Sequence, residues 1–404
     1  MELSEASEGS SSGAAAAQGV REHVPALDGV RGVAILLVLI IHSLGLQSDP
    51  DNLLLFQLGR AGWVGVDLFF VLSGFLITGI LLDHLGHPGV FKSFYARRAL
   101  RIFPLYYAFL AVLLGAGALI SGLQTPGFQQ VWNNQGWLWL YATNIKLAFG
   151  GNFNDFGFAG GGWVEAGHFW SLAVEEQFYL FWPLALLLVG VGRARALTIA
   201  VCVLAFASRY LLVESGHLTA AYVSMPCRMD ALGAGALVAV LAREPGGLQA
   251  RRRYFAVGFA VFGAAILGLG FSQEGYEHLD PEVIVYGYSL NAAFFGCLIA
   301  LAVTASQGSP LRRALSARWL RSLGRYSYAI YILHLPLVKI LLEVSATREF
   351  ISGRFGGVIV LAVVLPVAYA LARLTWAYIE QPCLSLKSRF PLPGAGAAGS
   401  LERA

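Results

Sequence analysis

Charge is what this sequence has least of. Asp, Glu, Lys and Arg make up 13% of its 404 residues, whereas 57% are hydrophobic. With a mean hydropathy of +0.63, there is too little polar material to cover a water-soluble globule. A soluble enzyme is excluded, and the expected partner is a lipid bilayer. Cysteine is scarce too, at four residues. Cys202 and Cys297 fall inside apolar runs, while Cys227 and Cys383 have neither a partner nor metal-ligand spacing. All four read as small buried apolar residues, and no metal site is expected. The formal net charge is only +4, and its basic residues flank apolar runs without forming a patch, so nucleic acid is not an expected partner. The N-terminal stretch lacks the apolar core of a secretory signal. Residues 1–25 and 387–404 read as disordered cytoplasmic tails around one membrane domain over 26–386.

What the sequence has in abundance is apolar runs near the roughly 20 residues that a spanning helix needs. Eleven segments qualify, centred near residues 38, 73, 112, 140, 180, 204, 232, 263, 295, 334 and 367. The one near 140 contains Asn133, Asn134, Asn144 and Lys146 and leads into a Gly-rich stretch from Gly150 to Gly162, which suits a loop at the membrane surface. Keeping residues 122–168 on one side leaves ten crossings. Ten crossings put twenty Lys and Arg on the side of the termini, four (Arg60, Lys146, Arg348 and Arg354) on the other, and four within spans. That bias matches the positive-inside rule. The expected fold is all-α, a polytopic bundle of ten transmembrane helices with both termini cytoplasmic.

Ionisable groups at membrane depth are costly and are functional candidates by default. His42 follows Arg31 by 11 residues on the first helix, three turns plus about 20°, so the two share a face about 16 Å apart. Glu175 starts the fifth run after Trp170 and Ser171, with Tyr179 on its own face, and its depth is expected to match that of His42. Asp67, Arg228 and Asp230 enter from the same half. They read either as site residues or as ion pairs tying helices together. His334 lies mid-span one turn beyond Tyr331, and Ser73 and Gly74 are small residues at a point of close approach. At the opposite face, Arg97, Arg98 and Arg101 precede Pro104, Tyr106 and Tyr107 and form a fork suited to phosphate oxygens.

These residues carry a resemblance. The stretch Leu27 to Gly32 with His42, Gly65 to Phe75, Arg97 to Pro104, His168 to Tyr179, Arg228 to Leu232, Ser327 to Pro336 and Tyr378 to Pro382 occur in the order found in acyltransferase family 3. The chain resembles that family of integral-membrane acyltransferases from Leu27 to Pro382. Its members include O-acetylases of surface polysaccharides and acylases of macrolides. The resemblance implies a ten-helix domain in the plasma membrane of a bacterium. It also implies a cytoplasmic acyl-CoA, typically acetyl-CoA, as co-substrate, no bound cofactor, and a hydroxylated acceptor, often a carbohydrate. The family's essential His, Arg and Glu map onto His42, Arg31 and Glu175. Many relatives carry a fused esterase-like domain that is not found in this sequence, so either direct modification of the acceptor or a separate partner protein is expected.

Acyl transfer to a hydroxyl needs a base and a stabiliser for the oxyanion. His42 suits the base, since a neutral imidazole titrates near the working pH, and Glu175 is expected to orient it. Arg228, Tyr331 and Ser73 all remain open as the oxyanion stabiliser, and Ser73 is a further candidate for an acyl-carrying nucleophile. Arg98 and Arg101, with Arg97, would hold donor phosphates, the pantetheine arm pointing toward His42. Two other readings stand beside this one: acylation of a small natural product such as a macrolide, and, from a different class, a proton-coupled transporter.

Overall fold

A computed structural model describes residues 24–45, 57, 59–158, 162–343 and 355–392. The expected tails, apart from a few residues, lie outside the described residues, as do Arg21, Arg348, Arg354 and Arg403 of the charge count. Among the described residues there is no strand, and ten helices are long and apolar enough to cross a membrane. We number them α1 (Pro25–Leu44), α2 (Ala61–His84), α3 (Val90–Leu119), α4 (Gly167–Val189), α5 (Val191–Glu214), α6 (Leu218–Leu241), α7 (Arg252–Ser272), α8 (Val283–Val303), α9 (Arg318–Glu343) and α10 (Gly356–Arg389).

The inner bundle consists of α1, α2, α6, α8 and α9, and its principal pairings are α2 on α6 and α1 on α9. The α2–α6 seam depends on missing side chains. A Cβ on Gly74 would collide with the Leu232 carbonyl, and one on Gly235 with the Val71 carbonyl. Two backbones in direct contact gain packing where lipid and side chain are equally apolar. At the periphery the sequence is apolar all round. No residue of α7 is buried, and Val257, Val261, Leu267 and Phe271 are exposed, the surface expected of a helix bathed in lipid.

Among the described residues of 120–166 no helix is long and apolar enough to cross a membrane. They form three short helices, Pro126–Asn133, Gln135–Trp139 and Thr143–Ala148, and a 3₁₀ turn at Phe153–Phe156. The expectation of a surface loop is corrected in one respect, because the segment dips into the bundle. Tyr106 and Tyr107, near the middle of the 30-residue α3, donate to the carbonyls of Leu138 (2.9 Å) and Trp139 (3.2 Å). Gln177 of α4 donates to the Tyr141 carbonyl and exchanges bonds with Asn144. Tyr141 adopts a left-handed backbone (φ 50°) and stacks on Tyr106 with ring centroids 4.1 Å apart. Irregular backbone is tolerated at membrane depth only where protein satisfies its polar groups. Tyr106, Tyr107 and Gln177 do so here.

Candidate functional site

Helix α4 carries a polar stripe. His168, Ser171, Glu175 and Tyr179 recur at spacings of three or four, so all fall on one face. Opposite them α1 presents Arg31 and His42, α2 Ser73, α3 Arg98, and α9 Tyr331 and His334. The result is a polar column with histidines at one end and arginines at the other.

At the histidine end, the α-helical part of α1 stops at Ile40 and a π-helical turn, Ile41–Gly45, carries His42. Such turns recur at functional sites. His42 Nδ1 lies 2.9 Å from the Val38 carbonyl and 3.2 Å from Nε2 of His334, whose own Nδ1 lies 2.7 Å from the Tyr331 carbonyl. These acceptors assign the tautomers. His334 must carry its proton on Nδ1 to meet a carbonyl, which leaves Nε2 as a lone pair. His42 then donates from Nδ1 to both acceptors, and its Nε2 is the free base. A third imidazole, His168, packs against His334 with centroids 5.2 Å apart. Among the described residues no group of His, Cys, Asp and Glu is arranged to hold a metal ion.

One turn deeper, the hydroxyls of Ser171 and Tyr331 are 2.5 Å apart. Below them Ser73 Oγ donates to Glu175 Oε1 at 2.6 Å and contacts the Tyr179 hydroxyl at 2.9 Å. Arg98 lies over the Tyr179 ring, 5.5 Å from its centroid, and both Arg98 and Arg31 are within electrostatic reach of Glu175. At the arginine end Arg31, Arg98 and Arg101 are close enough to repel one another. Asp28 pairs with Arg31 at 3.3 Å, and Glu380, in a second π-helical turn, with Arg101 at 3.8 Å.

Several expected roles need correction. Glu175 does not orient His42: His42's hydrogen bonds among the described residues go to Val38 and His334, and Glu175 sits lower, bonded to Ser73. Arg228 and Asp230 do not line the column. Arg228 pairs with Asp67, which also accepts from Asn291 at 2.9 Å, and its guanidinium packs on Phe70, Trp170, Tyr222 and Tyr288. Trp170 belongs to that wall. Asp230 pairs with Arg209 at 2.6 Å and accepts from Ser289 at 2.9 Å. These ion pairs join α2, α5 and α6, and the hydrogen bonds from Asn291 and Ser289 tie α8 to them. Arg97 reaches the carbonyls of Lys387 and Phe390, each at 3.4 Å, and therefore secures the end of α10. Of the three fork arginines, Arg98 points most directly into the column.

Sequence reasoning also passed over four groups. His168 lay in a motif without a role. Glu176, adjacent to Glu175, lies within electrostatic reach of Tyr106, Tyr107, Tyr141 and Tyr328 and of Arg98. Glu165 sits in the loop before α4, outside the spans, 3.5 Å from Lys339. Burial pushes its carboxyl up to about 7, with Lys339 opposing. His278, in the loop before α8, is driven down to about 4 by burial, then by the charges of His42, Arg60 and Arg228.

A family model described as an acyltransferase domain matches residues 24–373. The chain is 31% identical to YrhL of Bacillus subtilis, provisionally named a peptidoglycan O-acetyltransferase, over 89% of this chain and 55% of that protein. It is 28% identical to the peptidoglycan O-acetyltransferase OatA of Listeria monocytogenes over 90% of this chain and 56% of that protein. It is 24% identical to the O-acetyltransferase OatA of Staphylococcus aureus over 89% and 57%. The chain thus spans about half the length of the curated relatives it matches. No solved structure matches it.

Proposed function

The chain belongs to the acyltransferase family whose domain it matches over residues 24–373, and from that premise we propose that it is a membrane O-acyltransferase acting on a glycan. An acyl group, acetyl by the names of the relatives, leaves a thioester donor of the acyl-CoA class held at the arginine end. It reaches a sugar hydroxyl at the histidine end. The observation that carries this reading is the polar column itself. A cluster of guanidiniums suited to phosphates stands about 16 Å along α1 from a base with a free lone pair, a span comparable to an extended pantetheine arm.

Each end has a distinct task. Arg98 and Arg31, with Arg101 shared with Glu380, hold donor phosphates by charge-assisted bonds. His42 Nε2 takes the acceptor's proton as its oxygen attacks the acyl carbon. His334 fixes the tautomer of His42, the task that a carboxylate performs in hydrolase triads. Glu175, Ser73 and Tyr179 line the route between. The relatives' names favour a peptidoglycan-type acceptor over a small natural product.

The test is thiol release from acetyl-CoA by purified protein in detergent, with peptidoglycan fragments as acceptor. Stoichiometric CoA and acetylated glycan are expected. A proton-coupled transporter would release no CoA, and that result would end this reading.

A further inference from the structure

The proposed reaction requires a hydrogen-bond donor for the negative charge that develops on the acyl oxygen. Three side chains were open for this from the sequence, and each is held away from the acyl oxygen. Ser73 gives its hydroxyl proton to Glu175 at 2.6 Å. The Tyr331 hydroxyl is held between Ser171 at 2.5 Å and the His168 carbonyl at 3.0 Å. Arg228 gives one nitrogen to Asp67; its Nε and Nη1 have no hydrogen-bond partner among the described residues, but four aromatic rings enclose the guanidinium and hold it in the ion pair, away from the column.

His168 differs from Ser73 and Tyr331 in spending no side-chain donor, and from Arg228 in being held by no ion pair. Its residue is 5% exposed, and neither ring nitrogen has a hydrogen-bond partner among the described residues. The backbone of Tyr331 and Ile332 approaches the ring without closing a bond of normal geometry. Pro336 contributes to this arrangement, since it lacks the N–H that would otherwise engage the Ile332 carbonyl inside α9. Buried polar groups are nearly always hydrogen-bonded. An imidazole whose backbone neighbours meet it only at poor geometry can turn an N–H toward another group. His168 is one ring removed from the base, because His334 touches it at 5.2 Å and His42 at 4.9 Å between centroids.

We propose that His168 is a catalytic residue that, as a neutral imidazole, donates an N–H to the acyl oxygen during transfer. The proposal rests on the acyl-transfer reading above. As the acceptor oxygen bonds to the acyl carbon, its proton passes to His42 Nε2. The carbonyl electron pair moves onto oxygen, which accepts the hydrogen bond from His168. When that pair returns, the carbon–sulfur bond of the thioester breaks and the departing thiolate takes the proton from His42. His168 itself ends in the protonation state in which it began.

Kinetics of the full-length protein test this, with acetyl-CoA and peptidoglycan fragments, and with acetyl-CoA alone to follow its hydrolysis. His168→Ala is expected to lower kcat for transfer and for hydrolysis alike, by about 100- to 1,000-fold, the usual loss for one oxyanion donor. Both KM values should stay within about 3-fold, because the interaction is made in the transition state. His168→Asn, which keeps an N–H donor, should recover at least about tenfold of the loss. A raised acceptor KM with normal hydrolysis would place His168 in acceptor binding and overturn the proposal. Equal losses in the Ala and Asn variants with a lowered Tm would mean packing, and would overturn it as well. Failure of the acyl-transfer reading looks different: the wild-type protein would then release no thiol, and both inferences would fall together.

Discussion

Two buried charged regions lie side by side in this bundle, and they are built on opposite principles. In the first, Asp67 with Arg228 and Asp230 with Arg209 pair across α2, α5 and α6, with Asn291 and Ser289 of α8 bonding the carboxylates. In the second, the column from Arg31 to His42, the charges face one another loosely: the Arg101 to Glu380 pair is 3.8 Å long, and neither ring nitrogen of His168 closes a hydrogen bond among the described residues. Removing charge from water is expensive in either place. Where partners close on one another the expense supports the fold, and where they stay apart the groups are left available to a substrate. Membrane depth alone does not separate the two. Pairing does.

The strongest way to break this contrast is at its ends. His42→Ala should reduce acetyl transfer by about 100- to 10,000-fold, the contribution of a positioned general base, with folded protein recovered at the wild-type level. Loss of folded protein would move His42 into the structural class. The converse holds for the paired region. Asp67→Ala leaves Arg228 buried without its counter-charge and should cost about 3–5 kcal/mol of stability, visible as a lower Tm and reduced yield. Replacing both partners, Asp67→Leu with Arg228→Met, should regain much of that loss. A double variant as unstable as the single one would show that Arg228 does more than balance a charge.

Smaller effects sharpen the division within the column. Arg98→Ala should raise the donor KM by about 10-fold or more, given about 1.5–3 kcal/mol for a hydrogen bond to a charged group, with kcat little changed. With acetyl-pantetheine, which lacks the nucleotide phosphates, variant and wild type should become nearly equal. The smallest effect concerns Glu165, whose folded carboxyl titrates at about 7, above the ordinary 4.5. Since the folded state binds this proton more tightly, stability is greatest below about 4.5 and is lost as pH rises through about 7. Glu165→Gln should flatten that slope in Tm against pH; an unchanged slope would assign it to another group.

How much of this was legible beforehand follows the same division. The helix count was readable because basic residues cluster between apolar runs, and Asn133, Asn134 and Asn144 marked the segment that does not cross. Its descent into the bundle was not readable, because the carbonyls of Leu138, Trp139 and Tyr141 are satisfied by Tyr106, Tyr107 and Gln177, partners 32 to 36 residues away in sequence. Arg31, His42 and Glu175 were visible as costly groups at depth. That His42 leans on His334, 292 residues on, was invisible to any local spacing, and so its orientation was assigned to the wrong residue. Arg209 could have been read. A mid-span arginine with no acid one turn away demands a distant carboxylate, and Asp230 is that carboxylate.

Vectorial transfer in sealed proteoliposomes tests the account's centre most directly, with protein oriented so that the arginine end faces outward. Radiolabelled acetyl-CoA is supplied outside, and peptidoglycan fragments are enclosed. Labelled acetyl should appear on the enclosed glycan while CoA stays outside, and His42→Ala should abolish the transfer. Label on glycan only when donor and acceptor share one compartment would contradict a column that carries the acyl group from arginines to histidines.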